Sequence, residues 1–389
     1  MNTNKNNIDY TLISIILLLG IVSVFTIYTV EPTLPATLAD QNFFQKQIIW
    51  YVGGGLIIAL LMQIDYDRFR QLTWILYGIG MVMLLMLFFG FPPGIVHEVN
   101  NAVSWFKFPV LGTLQPAEFM KVILILTLAH VMYFHNQKYL KPTVKNDLWL
   151  LCKILLLSLP PMGLIAVQPD LGGLLVLAAI TGAMILVSGI RWSLILSIIL
   201  IALGGIGLIV AAYFLFPDSI AVFLEETVFK HVSSRFYGWL SPEQYSESGY
   251  QLMKAMMAIG SGQLFGKGIE VMQVSVPERH TDMIFTAIAE QFGFIGSSIV
   301  VTLFFLLLYR LIYIAIQSND SYASYIVTGT IGMFAYQIFQ NIGMSIQLLP
   351  ITGLPLPFLS YGGSSTLTYL LAIGIVLNIH SRTKKYMFE

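Results

Sequence analysis

Glu118 and Lys121 lie three residues apart, directly after Gln115-Pro116, in a stretch that is otherwise apolar. At that spacing the two side chains share one helix face and can neutralise each other. They act either as an ion pair that pins the helix or as groups that meet a substrate. Asp170, in Gln168-Pro-Asp-Leu-Gly-Gly173, has the type and position of an N-terminal helix cap. Glu278, Arg279, His280 and Asp282 crowd together immediately ahead of a long apolar run. Asp282 reads in two ways. It either caps the helix that follows or stands at the water–lipid boundary as a general base. A helix N-terminus favours the ionised form of a carboxylate, which suits a base better than an acid.

Two further patterns carry polar atoms into apolar surroundings. Gln337, Gln340, Asn341 and Gln347 fall within about 120° of arc on a helix turning 100° per residue. Amides in hydrocarbon need partners, so this stripe faces other helices or a wet cavity. Residues 348–365 contain three prolines and three glycines in a largely apolar stretch, which forbids continuous helix. Irregular backbone at membrane depth survives only when buried in protein or lining a cavity. Its end, Ser360 to Ser365, opens a final helix, where free N–H groups around Gly362 and Gly363 could cradle an anion; an ordinary tight turn is the alternative. The six histidines show no metal spacing, and neither a P-loop, a dinucleotide fingerprint nor a G-x-S-x-G elbow occurs. A single cysteine, Cys152, excludes a disulfide framework.

The elements that must position these groups follow from composition. Of 389 residues, 57% are apolar and only 10% charged, less than half the ~25% usual for soluble domains. So few charges cannot cover a water-soluble globule of this size, and disorder is excluded by the same numbers. Zero net charge removes the electrostatic footprint of a nucleic-acid partner. The chain is therefore an all-α polytopic membrane protein. Blocks long enough to cross a ~30 Å hydrocarbon core lie near 10–30, 45–63, 72–91, 117–135, 148–167, 170–188, 192–216, 283–316, 323–349 and 364–380. The eighth, about 42 Å long from Asp282 to Arg310, is expected to be one tilted helix that starts outside the hydrocarbon.

Eleven basic residues fall in one set of loops: Lys5, Arg68, Arg70, Lys138, Lys141, Lys145, Arg191, Arg310, Arg382, Lys384 and Lys385. The opposite short loops hold only Lys46 and Lys107. The first set is expected to be cytoplasmic, with both termini inside. Lys153, inside the fifth block, is expected to snorkel to that side. The large loop between the seventh and eighth spans, about 217–281, then lies outside, together with 92–116 and 350–363, which read as loops of Pro, Gly and small polar residues.

Six motifs occur in order: Asn101-Ala-Val-Ser-Trp105; Gln115-Pro-Ala-Glu-Phe-Met-Lys121; Gln168-Pro-Asp-Leu-Gly172; Gly249-Tyr250 with Ala258-Ile-Gly-Ser-Gly262 and Gly266-Lys-Gly268; Pro277-Glu-Arg-His-Thr-Asp282; and Pro357-Phe-Leu-Ser-Tyr-Gly-Gly363. Together they resemble the SEDS family of bacterial wall synthesis (RodA, FtsW and SpoVE), over essentially the whole chain as one membrane domain, 1–389. The resemblance implies a peptidoglycan glycosyltransferase in the bacterial cytoplasmic membrane. It would polymerise lipid II on the outer face, and the chain most resembles RodA, so elongation and shape are the expected role, with septation in the FtsW manner as the alternative. It also implies partners: a class B penicillin-binding protein transpeptidase and other elongation-complex membrane proteins. Asp282 takes the position of the family's outer-loop aspartate, the general base. Glu118 and Lys121 take the membrane-embedded pair, Asp170 the acid of the short loop, and Arg235 an arginine at the start of the large loop. Lys267, Ser360, Gly362 and Gly363 complete the substrate-binding candidates as outer-loop cation and turn. Ser104 stands where the family often has Arg, and Ala117 where it has Ser, which weakens a cationic phosphate clamp in that segment. No dedicated metal ligands or cofactor motif are visible, although a divalent cation could screen the pyrophosphate. A lipid II flippase also fits ten spans with buried charge. Such a transporter usually shows inverted repeats with sites at the midplane, whereas here the suspect residues gather toward the outer face.

Overall fold

The computed structural model describes residues 8–383 except 36, 39–40, 100–101, 109–111, 141–142, 216–229, 244–247 and 270–271. Lys5, Lys141, Lys384, Lys385, Asn101 and those parts of the large loop lie outside the described residues. Helices α1 (Tyr10–Val30), α2 (Phe43–Leu61) and α3 (Tyr66–Phe88) lead to three short strands, β1 (Val96–Val99), β2 (Ala102–Phe108) and β3 (Gly112–Leu114). Then come α4 (Pro116–Lys138), α5 (Val144–Val167), α6 (Leu171–Val187) and α7 (Trp192–Leu215). The large loop contributes α8 (Lys230–Leu240) and α9 (Ser248–Ser261). The chain ends with α10 (Ile284–Gln317), α11 (Ser321–Ser345) and α12 (Gly363–Arg382). The long helices coincide with the apolar blocks of the sequence, and among the described residues seven of them are long and apolar enough to cross a membrane. Exposed Leu56, Leu60, Ile75, Leu156 and Phe305 line the outside, as a bilayer solvent requires.

Local chemistry starts these helices where they start. Asp9, Asp65, Thr143, Asp170 and Asp320 each accept a hydrogen bond from a backbone N–H in the first turn of α1, α3, α5, α6 and α11. Pro116 occupies the first turn of α4, where its missing N–H costs nothing. Pro161 sits inside α5 and cannot bond the Leu157 carbonyl; the Tyr77 hydroxyl donates to that oxygen instead, at 2.9 Å.

Ion pairs gather the helix ends. Asp9 pairs with Arg310, Asp65 with Arg382 and Asp147 with Arg191, while Tyr66 donates to Asp320. Asn378 donates to the carbonyls of Leu61 and Ile64, both at 2.6 Å. Both ends of the described chain therefore lie on one face. The opposite face carries the strands, the α6 cap and the start of α10.

Two expectations are corrected. Residues 92–116 are no plain loop: β1, β2 and β3 form an antiparallel sheet in that order. And α10 is not one tilted helix. Gly293 breaks it at φ 61°, ψ −156°. The break severs the helical bonds from Phe294 N–H to Glu290 and from Ile295 N–H to Gln291, and residues 263–268 replace them. Phe294 N–H donates to the Gln263 carbonyl (2.9 Å) and Ile295 N–H to Leu264 (3.2 Å). The freed carbonyls of Glu290 and Gln291 accept from Lys267 N–H (2.9 Å) and Gly268 N–H (3.1 Å). All four groups are satisfied, as membrane depth demands.

A methyl at position 293 would stand 2.4 Å from Gly266 N, in a backbone conformation that favours glycine. Gly293→Ala is expected to destabilise the protein by about 2–4 kcal/mol, read as a lowered thermal midpoint in detergent. Gly182→Ala, where a methyl meets nothing within 4 Å, is expected to leave the midpoint unchanged or raise it slightly.

Candidate active site

The Pro-rich segment between α11 and α12 runs as irregular backbone, and most of it is buried. Side chains from four helices hold its carbonyls. Gln340 of α11 donates to Pro350 at 2.9 Å, and Arg235 of α8 donates to Thr352 at 2.8 Å. Asn341 donates to Leu354 at 2.7 Å, Ser23 to Leu359 at 2.8 Å and Gln47 to Ser360 at 3.3 Å. Tyr51 donates to Phe358. Gln340 and Asn341 of the amide stripe on α11 serve this strap, while the Gln337 amide is buried without a hydrogen-bond partner among the described residues. Gln347 does not belong to the stripe: α11 ends at Ser345, and Gln347 lies beyond in a left-handed conformation (φ 64°).

Asp282 is fixed to this strap through its backbone. The same Asn341 amide that holds Leu354 also donates to the Asp282 carbonyl at 2.6 Å. Ser360 accepts from Leu356 N–H (2.8 Å) and donates to the carbonyl of Thr281. Tyr361 N–H reaches the His280 carbonyl at 2.9 Å. The carboxylate of Asp282 faces Gly353, where a methyl would lie 3.9 Å from Oδ2. The expectation that Asp282 caps α10 fails. Met283 is the cap residue, without a side-chain bond.

Asp282 is 8% exposed and has no ion pair within 4 Å among the described residues. Burial pushes its carboxyl up to about 7, helped by the negative charge of Glu278 and opposed by Arg235 and Thr281. The sequence reading had the helix terminus favouring ionisation, but desolvation outweighs it. A proton affinity near neutrality suits a general base at physiological pH. Arg235 is also desolvated, which lowers its pKa; Asp170 and Asp282 together act against that shift.

Asp170 performs the capping that its position suggested, accepting from Gly173 N–H at 2.7 Å. Its other oxygen accepts from Gln115 at 3.2 Å. A methyl on Gly172 would lie 3.0 Å from the Thr352 carbonyl, so the start of α6 presses on the strap beside Arg235. Ser104 on β2 donates to the Gln168 carbonyl (3.2 Å), and Gln115 N–H donates to Ser364 (3.0 Å), tying sheet, α4 and α12 to the same place. Gly362 and Gly363 are half-buried at the start of α12. A side chain at 363 would strike the Trp50 indole, 2.6 Å away.

Residues 351–354 thus bring together Asp282, Arg235 and Asp170, with Ser360 as a brace. The remaining candidates stand elsewhere. Glu118 and Lys121 form a buried ion pair of 2.6 Å within the helix core. Lys267 pairs at 2.8 Å with Glu290, which also pairs with Arg279 and accepts from the N–H groups of Gln273 and Val274. Glu290 was missed in the sequence. The signal was there, an ionisable residue inside an apolar run. Among the described residues no three His, Cys, Asp or Glu side chains converge to hold a metal ion. Asp170 and Asp282 are the two carboxylates whose charges act on Arg235.

A family model described as "Cell cycle protein", that of FtsW, RodA and SpoVE, matches residues 9–385. The chain is 32% identical to Stage V sporulation protein E of Bacillus subtilis (strain 168), covering 99% of this chain and 100% of that protein. It is 33% identical to the probable peptidoglycan glycosyltransferase FtsW of the same organism, covering 95% and 90%. One solved structure, "Structural coordination of polymerization and crosslinking by a peptidoglycan synthase complex", matches with TM-score 0.74 at 27% identity, covering 96% and 98% of the two chains. The crystal structure of Thermus thermophilus RodA matches with TM-score 0.66 at 27% identity, covering 98% and 99%.

A carboxyl whose pKa rises from 3.8 unfolded to about 7 folded binds a proton on folding, so its contribution to stability declines as pH rises from about 4 to 7 and then levels off. Asp282→Asn is therefore expected to raise the thermal midpoint at pH 8, with the gain shrinking steadily as the pH is lowered below 7.

Proposed function

We propose that this chain, which belongs to the cell cycle protein family of FtsW, RodA and SpoVE, is a peptidoglycan glycosyltransferase that extends glycan strands from lipid II. The observation that carries the reading is Asp282: a buried carboxylate with a pKa near 7, held beside Arg235 and Gly353 on the face opposite the two ends of the described chain. With the basic loops on the cytoplasmic side, both termini lie inside and Asp282 meets the outer leaflet of the cytoplasmic membrane. Lipid II joins a polyprenyl tail to a sugar head through pyrophosphate, so its reacting atoms sit at that boundary.

In the proposed step, Asp282 takes the proton of the acceptor's sugar 4-hydroxyl as that oxygen attacks the anomeric carbon of the donor. The bond from that carbon to pyrophosphate breaks, and the polyprenyl pyrophosphate leaves with the electron pair. One displacement inverts an α-linked donor into a β-linked product and needs no second nucleophile. The leaving group needs positive charge or N–H donors more than a strong acid. Arg235 and the backbone at Gly362–Gly363 are assigned that part, with Asp170 orienting Gln115 beside them. Ser360, Lys267 and the Glu118–Lys121 pair are assigned to holding the site rather than to touching substrate, because a backbone brace or a close ion pair occupies each, whereas the bonds of Arg235 to the strap use its Nη1.

A class B penicillin-binding protein is the proposed partner. The match to a synthase that couples polymerisation with crosslinking supports it. A relative named for sporulation and one named FtsW stand at near-equal identity, so the proposal concerns the shared reaction rather than elongation in particular.

The experiment is polymerisation of labelled lipid II by the purified protein with its transpeptidase partner. Wild type is expected to give a glycan ladder, and Asp282→Asn to lose at least about a hundredfold in rate at unchanged folding. Persistent polymerisation by that variant would refute the base assignment.

A further inference from the structure

On the face that holds both ends of the described chain, a cavity of about 370 Å³ opens between α3, α4 and α5. Lys138, Lys153, His130 and His135 line it, together with Trp74, Phe134 and Leu156. Its charge sets it apart from its surroundings. Arg310, Arg382, Arg191 and Arg70 on the same face each pair with an aspartate. Lys138 and Lys153 have no carboxylate within 4 Å among the described residues, and their like charges act on one another. The Lys153 ammonium lies 3.3 Å from Nδ1 of His135 and 5.3 Å from the Trp149 ring centroid, neither of which cancels its charge. Asp147, the nearby acid, is engaged by Arg191 at 3.3 Å. Nδ1 of His130 is buried without a hydrogen-bond partner, while its ring stacks edge-on against Trp74.

Two uncompensated ammonium groups at the edge of hydrocarbon call for an anion. The last turn of α4 gives Lys138 only the partial negative charge of the helix terminus, so the rest of the deficit of negative charge is left to a ligand. The apolar walls narrow the choice. Trp74, Phe134 and Leu156 are 51%, 48% and 70% exposed and run from the cavity onto the lipid-facing surface. A ligand that satisfies both halves carries phosphate and hydrocarbon in one molecule.

We propose that this cavity binds the headgroup of an anionic phospholipid from the leaflet that meets this face. Lys138 and Lys153 hold the phosphate, His130 donates to it, and the acyl chains lie along Trp74, Phe134 and Leu156. Basic pockets between membrane helices are suited to such headgroups. The site is on the opposite face from Asp282, so the lipid is a bound structural partner rather than the substrate of the proposed reaction.

The test is native mass spectrometry of the delipidated full-length protein, titrated in detergent with dioleoylphosphatidylglycerol or dioleoylphosphatidylcholine. Phosphatidylglycerol is expected to bind about tenfold more tightly or better. The double variant Lys138→Gln/Lys153→Gln is expected to remove that preference, whereas Lys46→Gln on the other face keeps it. Glycerol phosphate in excess should not displace the lipid. Equal affinity for the two lipids overturns the proposal, and that wild-type comparison decides even if the double variant fails to fold. So does undiminished preference in the folded double variant. Displacement by glycerol phosphate or inorganic phosphate also overturns it, by reassigning the cavity to a soluble anion.

Discussion

Irregular backbone inside a bilayer has no water to bond, so each of its peptide groups must find a partner within the protein. The strap of residues 350–360 meets that constraint with side chains drawn from distant parts of the chain. Ser23, Gln47, Tyr51, Arg235, Gln340 and Asn341 each donate to one of its carbonyls. Asn341 does more, because its amide also holds the main-chain carbonyl of Asp282. The catalytic candidate is thus positioned by hydrogen bonds to its own backbone, while its carboxylate receives only a long bond from the Thr281 hydroxyl, at 3.5 Å. The broken α10 follows the same rule, with the glycine-rich end of the large loop supplying the partners that Gly293 removes.

Two buried carboxylates at the head of α10 show how surroundings divide their roles. Glu290 receives Lys267, Arg279 and two backbone N–H groups, and so locks the large loop onto α10. Asp282, eight residues earlier, is desolvated, and a backbone hydrogen bond, Arg235 and the Thr281 hydroxyl offset the cost only in part, so its affinity for a proton rises. Full compensation gives a structural clasp; partial compensation gives a group ready to exchange a proton near neutral pH.

Much of this was legible in the sequence. Apolar block length located the long helices to within a few residues, since hydropathy is the dominant constraint in a bilayer. Asp170 capped as its position suggested, and Asp282 stood out by its charge at a membrane boundary. What escaped depended on contacts between distant segments. Gly293 in an apolar run reads as a tolerated helical glycine, and only the approach of residues 263–268 reveals it as a break. Desolvation of Asp282 comes from packing of the strap, which spacing along the chain does not encode. The strand at residues 102–108 was hidden because the surrounding Pro and Gly made the whole segment read as loop. Arg235 owed its place among the candidates to the family resemblance, and its bond to Thr352 supplies the physical reason.

The central claim is that the strap, acting through Asn341, places the Asp282 carboxylate for proton transfer. It is tested most directly by lipid II polymerisation with Asn341→Ala, in protein that retains its helical circular dichroism and monodisperse elution. The account predicts a rate at least about tenfold below wild type, because a small misplacement of a catalytic group is costly. A folded Asn341→Ala protein polymerising at the wild-type rate would contradict it.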